Sequence, residues 1–351
     1  MLEYQDALHA DRVDSGERDC SQRWDVLLPE LTTAMTCLDV GSNLGYFAIK
    51  AAQLPNRPFV LSLESDPVIA SRQARLLGEH DLTNVLLVQA ALDARSTAAW
   101  AEACDWFDVT LLLAVLHWMD DPAAVLAALS VMSARLVVEL PDPADAGSCN
   151  REFLQEMGDP GTWCSRVTGR EVRSLGRVDR HTSATQSHLL VIEGPVRRAG
   201  TLPYLGSRYR HPSGNVYEHR FDGRSHTFLR RGSAQAWLPG VSLVNAMHLG
   251  RLVWPSPKVL AATMPSVVGH PDPMPHNMVV TSEGLRLIDH DDLHDPHAAR
   301  RAAGSLRRNL RRWAVGRGRY TAYRLLSYPK LRRTLSRLKF WRSWGGSGSP
   351  T

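Results

Sequence analysis

Two carboxylates and two glycines in this 351-residue chain stand at spacings that suit a nucleoside. Asp39 lies in the short apolar run Cys37-Leu-Asp-Val40, and a turn through Gly41, Ser42, Asn43 and Gly45 leads directly into Tyr46-Phe-Ala-Ile-Lys-Ala-Ala52. Glycine lets the backbone bend sharply and come close to a ligand, and the start of the following helix offers free N–H groups. The spacing is Gly-x-x-x-Gly, so a dinucleotide pyrophosphate is the poorer fit. Glu64 ends a second apolar run, Phe59-Val-Leu-Ser-Leu-Glu64, where a carboxylate accepts both hydroxyls of a ribose. Farther on, His117 follows the run Phe107-Asp-Val-Thr-Leu-Leu-Leu113. Imidazole is the side chain whose ordinary titration lies nearest neutral, so it suits the removal of a hydroxyl proton.

Apolar runs of strand length must carry these groups. Besides the two already named, Asn84 to Gln89, Phe107 to Leu113, Leu136 to Leu140 and Ser187 to Gly194 have that form, and helical stretches separate them. From Pro122 to Ala134 the residues at 125, 126, 129 and 132 are apolar, which predicts a helix with one face on a sheet. Asp120 and Asp121 before Pro122 fit its N-cap better than a catalytic pair. Such alternation predicts a parallel α/β sheet as far as residue 195, followed by the linker Pro195-Val-Arg-Arg-Ala-Gly-Thr-Leu-Pro203.

The acid-ended strand, the Gly-rich turn and the second acid-ended strand resemble the class I S-adenosylmethionine-dependent methyltransferases, over roughly residues 15 to 194. The resemblance implies a Rossmann-like seven-stranded domain over 1–195 with S-adenosylmethionine as cofactor. It implies that Asp39, Gly41, Ser42, Asn43, Gly45, Tyr46, Glu64, Gln89, Ala90 and Ala114 surround that cofactor. Many members carry an acid after the third strand for the adenine amino group; here that position reads Gln89-Ala-Ala91, and Gln89 offers an amide instead. Upstream, Gly16-Glu-Arg-Asp-Cys-Ser-Gln-Arg-Trp24 resembles the entry segment of a subset of these enzymes. His117, and more weakly Glu139 after the fifth strand, are then the candidate bases; the alternative for His117 is a wall of the pocket. Trp118 suits stacking in the pocket or core.

A second chemistry-bearing set lies at His270-Pro-Asp-Pro-Met-Pro-His-Asn277, followed by an apolar hairpin that ends at Asp289. The spacing resembles the catalytic loop and metal-binding Asp of protein kinases and aminoglycoside-kinase-like enzymes. That resemblance assigns Asp272 to the substrate hydroxyl and Asn277 and Asp289 to magnesium. Only about 65 residues separate Tyr204 from His270, with Lys258 their one lysine and Thr227-Phe-Leu-Arg230 the candidate relic of the phosphate-pairing strand. Tyr209-Arg-His-Pro-Ser-Gly-Asn215 lacks a Gly-x-Gly-x-x-Gly loop. The expectation for 204–299 is therefore a small α+β kinase-like region without phosphoryl transfer, in the order found in methyltransferase-kinase fusions of bacterial surface polysaccharide synthesis. His270, His276, His290, His294 and His297 with their neighbouring acids are of metal-ligand type, but two or three would have to converge from different loops and acidic His-rich turns are more often solvated, so no metal is expected.

The net charge of +5 divides unevenly, because residues 300–351 hold 15 Arg and Lys and no acid, leaving 26 basic against 36 acidic residues before them. From Leu331, the residues Leu335, Leu338, Trp341 and Trp344 recur every three or four positions among arginines, the pattern of a basic amphipathic helix. An anionic membrane surface is the expected partner of Arg300 to Trp344, with nucleic acid or burial against the kinase-like region as alternatives. Five cysteines without a Cys-x-x-Cys pair argue against a disulfide framework or a zinc knuckle and favour a cytoplasmic setting, peripheral at the inner membrane face if the tail docks. The first dozen residues are polar and acidic, so no leader is expected, and no apolar run approaches about 18 residues. The resemblance to the methyltransferases and to the fusion enzymes implies O-methylation of a carbohydrate, glycolipid or other small acceptor. The alternatives are a non-catalytic cofactor-fold protein that binds membrane or nucleic acid through its tail, and a minimal kinase.

Overall fold

The computed structural model describes residues 4–101, 106–144, 151–179, 186–194, 208–210, 216–221, 226–230, 233–236, 240–256 and 278–287. A small entry hairpin, β1 (Ala7–Leu8) and β2 (Val13–Asp14), precedes helix α1 (Cys20–Leu31). Strands and helices then alternate: β3 (Thr36–Val40), α2 (Tyr46–Ala52), β4 (Phe59–Glu64), α3 (Pro67–Glu79), β5 (Val85–Gln89), α4 (Ala94–Ala101), β6 (Phe107–Leu113), a 3₁₀ turn Leu116–Trp118, α5 (Pro122–Met132) and β7 (Ser133–Pro141). After α6 (Arg151–Met157) and α7 (Pro160–Thr168) come β8 (Val172–Asp179) and β9 (Gln186–Glu193). Asp66 and Asp121 accept backbone N–H groups at the starts of α3 and α5, each with Pro in the first turn, so Asp121 is the N-cap that its position before Pro122 suggested.

The sheet runs β15-β5-β4-β3-β6-β7-β9-β8, where β15 is Arg251–Trp254. β5, β4, β3, β6 and β7 are parallel, and β9 is antiparallel to both neighbours. The chain winds outward from β3 through β4 to β5, then returns to β3's other side for β6, which opens a crevice at the carboxyl ends of β3 and β6. Alternate residues of each strand enter opposite cores, as the period of two requires. Leu38, Leu61, Leu86 and Val138 pack with α4 and α5, whereas Cys37, Val60, Val85 and Val137 pack with α1 and α2.

Two features differ from the sequence reading. The helix over 122–134 ends at Met132, because Ser133 already pairs with Phe107 as the first residue of β7. Among the described residues the main sheet also has eight strands, because β15, from beyond the linker, pairs antiparallel with β5. The indole N–H of Trp254 donates to the Leu82 carbonyl at 3.1 Å, and its ring lies over Gly78 of α3.

The remaining elements are the antiparallel meander β10 (Arg208–Arg210), β11 (Val216–Phe221), β12 (His226–Arg230) and β13 (Ser233–Ala236), then β14 (Gly240–Ser242), α8 (Leu243–Leu249), β16 (Met278–Thr281) and β17 (Gly284–Leu287). Val241, Leu243, Ala246, Met278 and Val280 belong to the same apolar cluster as Leu38 of the central strand. The core thus continues past residue 195. Thr227 to Arg230 lies in β12, while Lys258, Asp272, Asn277, Asp289, the histidine-rich segments and 300–351 lie outside the described residues. Among the described residues, no group of His, Cys, Asp and Glu could hold a metal, and no helix is long and apolar enough to cross a membrane.

Candidate functional site

A cavity of about 890 Å³ opens at the crevice between β3 and β6. Of the expected cofactor residues it is lined by Gly41, Asn43, Glu64, Ala90 and Ala114, together with His117. The loop after β3 is held over the end of β4: the N–H groups of Gly41 and Ser42 both donate to the Leu63 carbonyl, at 2.9 and 3.0 Å. Glu64 is then fixed from two sides, since Asn43 N donates to one oxygen and Asp66 N to the other, each at 2.8 Å. Ser65 Oγ also donates to the oxygen that Asp66 holds, at 3.4 Å, so the oxygen bonded to Asn43 N is the one that keeps a lone pair for a ligand hydroxyl.

Gly41 has φ +69°, and a Cβ there would sit 2.4 Å from Val115 Cγ1, so the close turn excludes a side chain. Asn43 (φ 53°) and Ala114 (φ 56°) adopt the same left-handed region without being glycine. For Ala114 that conformation costs about 1 kcal/mol or more, a local strain held at the cavity wall.

Several expected residues do other work. Gly45 (φ +81°) makes room for Gln73 rather than for a ligand, because its Cβ would lie 2.4 Å from Gln73 Nε2. Ser42 turns inward to the same amide, its Oγ donating to Gln73 Oε1 at 3.0 Å, while Gln73 Nε2 donates to Ser62 Oγ at 2.7 Å. Tyr46 is buried in the core beside Phe47. Asp39 and Gln89 lie behind the lining rather than in it. Burial, then the charge of Glu64, pushes the Asp39 carboxyl up to about 7 against a backbone hydrogen bond from Ala48. Its Oδ2 is buried with no partner among the described residues. The acid missing from Gln89-Ala-Ala91 stands two residues later: Asp93 lines the cavity and caps α4 through Ser96 N at 2.6 Å, a bond that lowers its carboxyl.

Glu139 corrects the sequence reading most. It is fully buried, does not line the cavity, and is clamped between two guanidiniums. Arg23 reaches its two oxygens at 3.2 and 3.3 Å, and Arg18 Nη2 donates to the same Oε1. Arg23 also donates to the carbonyls of Asp19 at 2.7 Å and Asp179 at 2.6 Å, so one carboxylate ties β7 to α1, the entry segment and β8. A carboxylate held in this way is an anchor rather than a base.

His117 sits in the 3₁₀ turn, 3% exposed yet lining the cavity, with Trp118 beside it at 5.5 Å between ring centres. Trp118 is 68% exposed at the cavity mouth, so the core alternative for it is excluded. Tyr4, Gln5 and Arg18 complete this end of the lining. Sequence reasoning assigned them nothing, although Arg18 belongs to the entry segment it singled out. Burial pushes the thiols of Cys20 and Cys164 up to about 12, which leaves them unreactive packing groups.

No family model and no curated protein matches this chain. Among solved structures, the bifunctional kinase-methyltransferase WbdD is similar at 15% identity over 95% of this chain and 92% of that one, with a TM-score of 0.44. The N-terminal domain of EvdMO1, crystallised with SAH and D-fucose, is similar at 17% identity over 52% of this chain and 86% of that one, TM-score 0.39. An O-methyltransferase family protein from Burkholderia thailandensis is similar at 17% identity, over 50% and 56% of the two chains, TM-score 0.39. At TM-scores below 0.5 these likenesses decide nothing about chemistry.

Proposed function

We propose that this chain transfers a methyl group from S-adenosylmethionine to a hydroxyl of a small acceptor, a carbohydrate or glycolipid among the candidates. The observation that carries this reading is the single cavity wall that joins Glu64 and the Gly41 turn to His117 and Trp118. The residues fit the cofactor: Glu64 retains a lone pair for a ribose hydroxyl, Ala90 and Asp93 flank the space for a purine, and Gly41 lets the turn close against Val115 at the cavity wall. When bound, the cofactor supplies an electrophilic methyl on a sulfonium.

The protein's part is placement and proton removal. A cavity of this size encloses most of a nucleoside-sized ligand, and alignment of the acceptor oxygen behind the methyl is the main contribution of such a site. A ring nitrogen of His117 receives the hydroxyl proton as the oxygen takes the methyl. The exposed indole of Trp118 offers a flat apolar face beside it, suited to the C–H face of a sugar ring.

Calorimetry of the full chain with S-adenosylmethionine and S-adenosylhomocysteine tests the cofactor, and absence of binding by both ends the reading. His117→Ala should then lower turnover by about 10² to 10⁴ while cofactor affinity is retained. An unchanged rate reduces His117 to a wall residue.

A further inference from the structure

The loop that follows β5 serves two neighbours at once. Ala90, Ala91, Leu92 and Asp93 line the cavity. The same loop is also held by the region beyond the linker: α8 packs on α4 and β5, and Val241, Leu243 and Ala246 share one apolar cluster with Ala90, with Leu92 and Ala94 packed against it. Among the described residues, none of α8 or β15 lines the cavity, so this region meets the wall without meeting what the wall encloses.

The contact is closest at Gly250, between α8 and β15. A Cβ there would lie 2.1 Å from the Gln89 carbonyl oxygen and 2.9 Å from Ala90 Cβ, so only glycine lets the chain pass at this distance. Gly250 N donates to the Ala246 carbonyl at 3.3 Å at the end of α8, and the next residue, Arg251, already pairs with Gln89. Ala90 is tied in turn to β4, its N–H donating to the Glu64 carbonyl at 2.9 Å. One backbone hydrogen bond therefore separates the Gly250 contact from the residue whose carboxylate faces the cavity. Close-packed interiors pass a displacement on instead of absorbing it.

We infer that α8 and β15 set the position of the cavity wall at Gln89 to Asp93, with Gly250 as a positioning residue, so that cofactor affinity is coupled to the attachment of the C-terminal region. The inference rests on the proposed function, in which a purine lies against this wall. It gives the region beyond the linker a part in methyl transfer that needs no phosphoryl chemistry. Reciprocity follows, because cofactor binding must hold α8 and β15 more tightly by the same factor that they tighten the cofactor.

Binding and hydrogen exchange on the full chain test the coupling. Gly250→Ala has to open the contact with Gln89 by about 1 Å, a misplacement that costs about 10²-fold in rate at a positioned site. Its affinity for S-adenosylhomocysteine, referred to the folded fraction, should fall at least about tenfold. Reduced stability with wild-type affinity overturns the inference, since that is what a merely structural contact would produce. In the wild-type chain, S-adenosylhomocysteine should slow amide exchange over residues 243–254 more than over β8 and β9 at the far edge of the sheet. Equal slowing, or none over 243–254, overturns the inference as well, and this measurement decides the matter if Gly250→Ala does not fold. In either case the ligand still binds and the cofactor assignment stands. Failure of S-adenosylhomocysteine to bind the wild type overturns the function reading and the coupling with it.

Discussion

Removal of the Glu139 carboxylate should destabilise this protein strongly without slowing the chemistry of its folded fraction. Glu139 is fully buried, and the Arg18 and Arg23 side chains that clamp it are 6% and 2% exposed, so Glu139→Ala leaves two desolvated cations with no counterion. Deletion of one partner of a buried pair costs about 3 to 5 kcal/mol. Against a total stability of about 5 to 15 kcal/mol, that raises the unfolded fraction by a factor of roughly 10² to 5 × 10³. Glu139→Gln keeps the shape and loses the charge, and should lose most of the same stability. Urea unfolding followed by tryptophan fluorescence measures both variants, with the turnover of the still-folded fraction as the second readout. A loss below about 1 kcal/mol together with a slowed methyl transfer would refute the anchor and restore Glu139 as the base.

Further outcomes follow from other groups. Asp39 keeps its proton up to about pH 7 in the folded chain against an ordinary 3.8, so the folded state holds more protons than the unfolded one between these values. Its contribution is therefore present below about pH 4 and lost as pH rises through about 7, and Asp39→Asn should flatten that fall; equal pH slopes in urea melts would contradict this. Trp254→Ala should destabilise by about 2 kcal/mol, less than the 3 to 5 kcal/mol of a fully buried aromatic, because Trp254 is half-buried. An unaltered melting profile would mean that β15 adds nothing to the sheet. We propose that the basic tail docks on anionic membrane, with each cation near the surface contributing about 1 kcal/mol. Salt-sensitive co-sedimentation with anionic vesicles, lost on removal of 328–351, is expected; equal pelleting with neutral vesicles, or none, would reject it.

What the sequence made legible was local. Gly41 and Glu64 are marked by turn chemistry and a strand end within a few residues, and both stand on the cavity wall. Gly45 looks the same from sequence, yet its partner is Gln73, a helix residue whose amide nothing upstream advertises. Ser42 was assigned to the ligand for its place in the turn, but a side chain in a turn can face either way, and this one faces inward. The Glu139 clamp spans 116 and 121 residues to its two arginines, and no periodicity encodes such a pairing. Gln5 was invisible for a similar reason, since its position depends on Gly16 and Asp6 rather than on any motif. β15 was missed because three apolar residues after an arginine carry no mark of the edge they will join.

That edge sets a schedule for synthesis. Gln89 pairs with Arg251, 162 positions later, so β5 emerges from the ribosome long before the strand that covers it. At about 5 to 20 residues per second, the interval is about 8 to 30 s, during which β5 presents a row of unpaired backbone groups. An uncovered edge of Val85-Leu-Leu-Val88 is a template for pairing with other chains. The length of the interval therefore bears on yield as much as on structure. Codon choices that slow translation between residues 90 and 250 should favour inclusion bodies. A fragment cut at residue 195 never receives the cover at all, so its edge would stay open for the life of the protein.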